Sequence, residues 1–211
     1  SAPPGADRPP VNKSLVGSKA NKMQIYNTLT AKKEVIEKPA YGPLNLFVCG
    51  ITVYDYPHIG NMRTYVAFDI FARYLRAQGY PLFYLQNVTD VDDKIIRRAK
   101  EENVPPFAIA KKFEAIYHKN EKQLKIKSVN KYAKATSFIP EIVNQIKTLV
   151  AKRHAYKIEG DGYYFDISTF RDYGKLSRRT AEAAEDAVTR IDESVNKKNK
   201  GDFALWKFEK P

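Results

Sequence analysis

The chain has 211 residues, 43% hydrophobic and 28% charged, with 36 Lys/Arg against 24 Asp/Glu and a formal charge of +12. That balance excludes wholesale disorder, a collagen-like repeat and a disulfide scaffold. The lone cysteine, Cys49, excludes an internal disulfide and suits a reducing, cytoplasmic setting. No apolar run approaches the ~18 residues of a membrane span, and the first residues lack the apolar core of a secretory signal. The length predicts one large domain or one and a half, and the basic balance predicts a polyanionic partner, RNA first.

Residues 1–22 hold four of the twelve prolines and no aromatic residue. They predict a disordered leader or extension, because they lack the apolar groups that offset ordering entropy. Leu46–Cys49 reads as a short buried strand that Gly50 ends. A helix is predicted from about Gly60 to Gln78, with Asp69, Arg73 and Arg76 as one exposed stripe and Val66, Phe68, Ile70, Phe71, Tyr74 and Leu75 buried on several sides. Gly79 suits the position after its end, and Pro81 prevents continuation. Leu82–Val88 reads as a strand covered on both faces. Strand, helix and strand make a right-handed βαβ unit, so the fold class is α/β with a parallel sheet.

Helices are predicted over about 92–102, with Thr89 or Asp90 as N-cap, over 106–127 with Phe113, Tyr117 and Leu124 inward, and over 140–153 with Ile142, Ile146 and Leu149 inward. Residues 156–158 and 163–167 flank a hairpin turn. The stretch 178–190 reads as a surface helix, 194–202 as a loop, and 203–206 as a strand with Trp206 in the core.

The segment from Cys49 to Asn61 joins the first strand to the first helix, at the carboxyl edge of a parallel sheet where open α/β folds bind ligands. A helix N-terminus there offers free N–H groups and the positive end of the helix dipole, which suit phosphate. His58 and Asn61 supply donors, and Gly60 allows a close approach of a base or phosphate. An isolated His-x-Gly-x string is ordinarily a turn with a packing glycine; its place between strand and helix raises its weight. Asp90, Asp92 and Asp93 could hold Mg²⁺, but capping of the helix near Asp92 is the favoured reading. His118 and His154 read as a surface and a helix-end histidine. Residues 94–134 carry a net +8, so Arg97, Arg98, Lys111 and Lys112 are candidates for phosphate contact.

The run VCGITVYDYPHIGN resembles the signature block of the cysteinyl-tRNA synthetases, which are class I enzymes. Ile25–Thr30 resembles their opening strand, and FDIFARYLRAQGY, QNVTDVDDKIIRRA, DGYYFDIS, YGKLSRR and DFALWK resemble later landmarks in order. The resemblance spans residues 23–211. It implies the amino-terminal part of a Rossmann-like catalytic domain, its sheet incomplete, with a connective insertion over about 105–200. By the same resemblance, His58 and Asn61 are catalytic, and His58, Gly60 and Asn61 bind ATP, which enters with Mg²⁺. Gly50, Thr52 and Thr89 line a cysteine pocket, and Cys49 is one ligand of a zinc ion that grips the substrate thiolate. The family's remaining zinc ligands, its lysine-bearing KMSKS loop and its anticodon-binding region match nothing up to Pro211. The implied partners are tRNA(Cys), ATP and L-cysteine, with no membrane, and a monomeric full-length enzyme; this chain alone is expected to be inactive. Two other readings are a cysteine:amino-sugar ligase of the mycothiol pathway, and a non-catalytic nucleotide- or RNA-binding module on the same fold.

Overall fold

A computed structural model describes residues 23–178 and 196–208. The leader over 1–22 and most of the predicted helix over 178–190 lie outside the described residues. The chain divides into two compact units between Glu37 and Lys38.

In the first unit, β1 (Gln24–Asn27) pairs antiparallel with β2 (Lys32–Val35), in the register Gln24↔Val35 to Asn27↔Lys32. The stretch Ile25–Thr30 is therefore a strand only as far as Asn27. Asn27 Oδ1 then accepts the Leu29 amide at 3.0 Å, and Ala31 adopts a left-handed φ of 57° to close the turn.

The second unit opens with the predicted parallel motif. Strand β3 (Leu44–Val48) leads into α1 (Ile59–Ala77), which returns to β4 (Leu82–Val88), and β3 pairs parallel with β4 from Leu44↔Leu82 to Val48↔Gln86. Gly79 has φ 75°, and Tyr80 N–H reaches back to the Leu75 carbonyl at 3.0 Å, so the chain ends α1 where the glycine allows.

Two readings of α1 are corrected. Of Asp69, Arg73 and Arg76, only Arg73 is exposed as expected, so the three are not a solvated stripe. Asp69 is 4% exposed, and its Oδ1 accepts the amides of Lys127 and Ser128 at 2.8 and 2.7 Å. Arg73 donates to the Lys125 carbonyl, and Arg76 to the Ser128 carbonyl and to Asn130 Oδ1. The stripe is a clamp on the loop 125–130. Ile70 and Tyr74, expected inside, are 62% and 46% exposed, because the buried face runs through Met62, Tyr65, Ala72 and Leu75 instead.

Helix α2 (Asp93–Glu102) starts from Asp92, whose side chain accepts Lys94 N–H at 2.8 Å; neither Thr89 nor Asp90 caps it. Asp90 instead accepts the Thr136 amide at 2.9 Å. Asn103 ends α2 in the left-handed region at φ 53°.

Helix α3 (Pro106–Gln123) is shorter than expected. Lys125 turns left-handed at φ 59°, and Ile126 N–H bonds back to the Glu121 carbonyl, so Ile126 packs inside and Leu124 is left 48% exposed. Phe113 and Tyr117 are fully buried, as their spacing predicts.

Strand β5 (Lys131–Lys134), which no sequence pattern announces, pairs parallel with β4 and places β4 at the centre of the order β3-β4-β5. The central strand alternates. Leu82, Tyr84, Gln86 and Val88 are buried, while Phe83 is 37% exposed, so β4 is fully covered on one face only.

A 3-10 turn (Ala135–Phe138) leads into α4 (Ile139–Ala151), where Ile146 is buried and Ile142 and Leu149 are half-buried. Strands β6 (Ala155–Ile158), β7 (Gly162–Phe165) and β8 (Phe203–Lys207) form an antiparallel sheet in that order. Gly162 fits there because a Cβ would lie 2.1 Å from the Trp206 carbonyl oxygen. Trp206 itself is half-buried.

Candidate active site at the β3–α1 junction

Strand pairing breaks at Cys49 and resumes two residues later. Gly50 N–H donates to Asn87 Oδ1 at 2.7 Å, Thr89 N–H to the Ile51 carbonyl at 3.0 Å, and Val53 N–H to the Thr89 carbonyl at 3.1 Å. Thr52 and Thr89 form an isolated parallel bridge. The break displaces Cys49 from the sheet and leaves its thiol exposed. Gly50 is obligatory: a Cβ would stand 1.7 Å from the Asn87 carbonyl oxygen. The three pocket candidates Gly50, Thr52 and Thr89 thus meet on the two strand ends beside Cys49, joined by Asn87, whose Nδ2 donates to Thr89 Oγ1 at 3.3 Å.

His58 is the N-cap of α1. Its Nδ1 accepts Gly60 N–H at 3.1 Å, while its own amide donates to Asn61 Oδ1 at 3.3 Å. This capping box has a chemical consequence. A neutral ring whose Nδ1 accepts carries its proton on Nε2, which is therefore the available donor. Asn61 likewise spends its oxygen on the cap and keeps its NH₂ for a ligand. Gly60 serves the histidine itself, since a Cβ there would sit 2.8 Å from His58 Cε1. Sequence reasoning assigns that glycine to ligand approach and misses the box, although Asn three positions after a helix-starting His is its signal.

The loop between the thiol and the cap is pinned from below by α2 and α3. Lys94 Nζ lies 5.2 Å from the Tyr54 ring centroid, Arg98 reaches Asp55 at 3.8 Å, and Tyr56 stacks edge-on against Phe113 at 5.3 Å. Arg98 and Lys112 also converge on Glu102, at 2.6 and 3.0 Å, and both lie over the Phe113 ring. Two of the four phosphate-contact candidates are thereby committed to joining α2 to α3. Arg97 and Lys111 are exposed.

A metal reading gains nothing from the acidic run. Asp92 caps α2, Asp90 holds Thr136, and Asp93 is exposed. Among the described residues no group of three His, Cys, Asp or Glu could hold a metal ion. Cys49 alone does not make the four-coordinate site that zinc takes. His118 contacts Glu121 and His154 contacts Thr169, each at hydrogen-bond distance. No described helix is long and apolar enough to cross a membrane.

A family model described as tRNA synthetases class I (C) catalytic domain matches residues 35–211. The chain belongs to this class I tRNA synthetase family. Within the family, it is 46% identical to the cysteine–tRNA ligase of Thermoplasma volcanium over 188 residues, covering 89% of this chain and 41% of that one. It is 42% identical to the Coxiella burnetii cysteine–tRNA ligase and 44% identical to that of Pyrococcus horikoshii, each over 90% of this chain and 41% and 39% of the relative. The chain thus spans about two fifths of the length of the curated relatives it matches. Among solved structures, Mycobacterium tuberculosis methionyl-tRNA synthetase bound by methionyl-adenylate superposes with a TM-score of 0.51 at 16% identity, over 62% of this chain and 34% of that one. This likeness shows the class I synthetase α/β fold, here with its three-stranded parallel sheet.

Proposed function

We propose that the chain is the amino-terminal catalytic portion of a cysteine–tRNA ligase, which activates cysteine with ATP and passes it to tRNA(Cys) in the cytoplasm. The observation that carries this reading is the exposed thiol of Cys49 and the His58 cap of α1 on one strand–helix junction, in a chain 46% identical to a cysteine–tRNA ligase.

In this mechanism the cysteine carboxylate attacks the α-phosphorus of ATP, which enters with Mg²⁺. A carboxylate oxygen–phosphorus bond forms as the bond to pyrophosphate breaks. Negative charge grows on the α-phosphate oxygens. His58 Nε2–H and the Asn61 NH₂ donate to those oxygens at the positive end of the α1 dipole, so His58 is an electrostatic catalyst and not a base. Its ring is already oriented by Gly60 N–H, which removes reorganisation from the barrier. Gly60 lets the ring fold over the helix start. Gly50, Thr52 and Thr89 form the wall that orients the bound cysteine beside Cys49. The zinc role of Cys49 requires further ligands from elsewhere in the longer protein; with them the ion would bind the substrate thiolate and reject serine.

The test is amino-acid-dependent ATP–pyrophosphate exchange by the full-length protein. Exchange is expected with cysteine and to fall at least 100-fold in His58→Ala. Exchange driven by another amino acid, and not by cysteine, overturns the proposal.

A further inference from the structure

Asparagine disfavours strands, yet Asn87 stands next to last in β4, the central strand of the parallel sheet. Leu82, Tyr84, Gln86 and Val88 are the buried alternation of that strand. Asn87 belongs to the opposite, partly covered face, with Phe83 and Leu85 before it. It sits where the carboxyl ends of the strands meet the junction with α1.

The ladder between β3 and β4 stops at Val48↔Gln86 and resumes at Thr52↔Thr89. Cys49, Gly50 and Ile51 therefore stand opposite Asn87 and Val88 alone. This is a bulge: β3 carries one residue more than its partner, and the chain is re-aimed there. Within it the Gly50 amide donates to the Asn87 side chain at 2.7 Å, and the Cys49 thiol is exposed.

The Gly50 amide can only donate, so it fixes which end of the Asn87 carboxamide faces β3. Oδ1 accepts, and Nδ2 is left to donate to Thr89 Oγ1 at 3.3 Å. A hydroxyl that accepts from Asn87 directs its own hydrogen to a different acceptor. One side chain thereby holds the backbone of the bulge and sets the polarity of a hydroxyl two residues further on.

We propose that Asn87 is the positioning residue for amino-acid binding: it clamps the bulge through Gly50 and presents the Thr89 hydroxyl as a donor to an anionic group of the bound cysteine. The inference rests on the cysteine-ligase reading above. An ammonium group has only donors, so the hydroxyl hydrogen engages the acceptor side of the amino acid. Asn87 acts through its two neighbours.

ATP–pyrophosphate exchange by the full-length protein tests this with Asn87→Asp, Thr89→Val and the double variant. An aspartate has the same shape and still accepts the Gly50 amide. It also accepts from the Thr89 hydroxyl instead of donating to it, which turns that hydrogen away from the substrate. The KM for cysteine is expected to rise about tenfold or more in each single variant, the loss of a hydrogen bond to a charged group. The KM for ATP should stay within about twofold, because the binding removed is confined to the amino acid. If Asn87 acts through the hydroxyl, Asn87→Asp changes the KM for cysteine less than about twofold once Thr89 is valine.

An unchanged KM for cysteine in Thr89→Val overturns the donor role, whether or not Asn87→Asp folds. An equal rise from Asn87→Asp on both backgrounds makes the new charge itself the cause and overturns the positioning role. A parallel rise in the KM for ATP, the mark of general loosening, overturns it too. A parent enzyme without cysteine-dependent exchange overturns the ligase reading and this inference together, whereas an active parent with unmoved variants overturns this inference alone.

Discussion

The Gly50 amide donates to Asn87 Oδ1 across 2.7 Å, while the backbone carbonyl of Asn87 occupies the place where a Gly50 Cβ would stand. One residue thus holds the end of β3 and forbids it a side chain. Gly50→Ala is expected to cost about 3 kcal/mol or more, because the clash is with backbone of a central strand and cannot be relieved by a rotamer change. Chemical denaturation measures it. A loss below about 0.5 kcal/mol, the range of an ordinary surface change, would show that the junction is looser than this geometry.

Asp69 is the anchor of the loop 125–130, and its contribution depends on pH. Burial pushes its carboxyl up, but the Lys127 and Ser128 amides, the Ser128 hydroxyl and the Arg73 guanidinium together outweigh burial and hold it below the ordinary value. A folded-state pKa below the unfolded one gives stability that is complete above the unfolded value, about 3.9, and is lost as pH falls through the folded one. Asp69→Asn is expected to cost about 2 kcal/mol near pH 7, since two amides lose a charged acceptor. The gap between parent and variant should be constant from about pH 7 to 5 and shrink below about pH 4. Stability curves for the pair give the answer; a gap that widens on acidification contradicts the assignment.

On the proposed mechanism His58 has two separable roles, as the N-cap of α1 and as a donor to the α-phosphate. Removing its ring in His58→Ala also removes the N-cap, at about 1 kcal/mol. His58→Asn restores a capping acceptor but offers no imidazole donor. Stability should therefore recover in the asparagine variant, while pyrophosphate exchange by the full-length protein stays low. Gly60→Ala should behave in the opposite sense. It forces the ring off the helix start, so exchange falls while α1 remains folded by circular dichroism.

The basic segment divides by geometry. Arg97 and Lys111 are exposed, whereas Arg98 and Lys112 share Glu102. Arg97→Ala with Lys111→Ala is expected to weaken RNA binding without lowering Tm. It should also flatten the slope of log K against log salt by about 0.7–0.9 for each phosphate no longer neutralised. Arg98→Ala with Lys112→Ala should instead lower Tm and loosen the loop that Asp55 and Tyr56 tie down. Filter binding across a salt series, beside thermal unfolding, separates the two. Equal RNA affinity in the parent and the first pair would move the RNA-binding surface away from α2 and α3.

Cys49 has one direct test. In the full-length protein, Cys49→Ser should lower bound zinc and raise the KM for cysteine, because one soft ligand is removed. Unchanged metal content and KM would leave it an ordinary exposed thiol.

Local pattern by itself determined the parallel βαβ unit. The apolar run ending at Cys49, the helix closed by Gly79 and the apolar run Leu82–Val88 each obey short-range rules of period, breaker and cap. The position of His58, Gly60 and Asn61 at the helix start was legible for the same reason, and the ordered landmarks up to DFALWK were enough to reach the family. What the polar residues do was decided by tertiary structure. Asp69, Arg73 and Arg76 have the spacing of a solvated stripe, yet they grip carbonyls and amides more than fifty residues away, an interaction that no local period encodes. Strand β5 has four residues and two lysines, and is a strand only because β4 offers it an open edge. Asp90 leaves the helix it precedes for Thr136, and Arg98 and Lys112 turn to Glu102. A polar side chain takes whichever partner the fold brings within about 3 Å, because a hydrogen bond is short-ranged and directional. Hydrophobic burial is non-directional and roughly proportional to area, so its pattern survives in the order of residues.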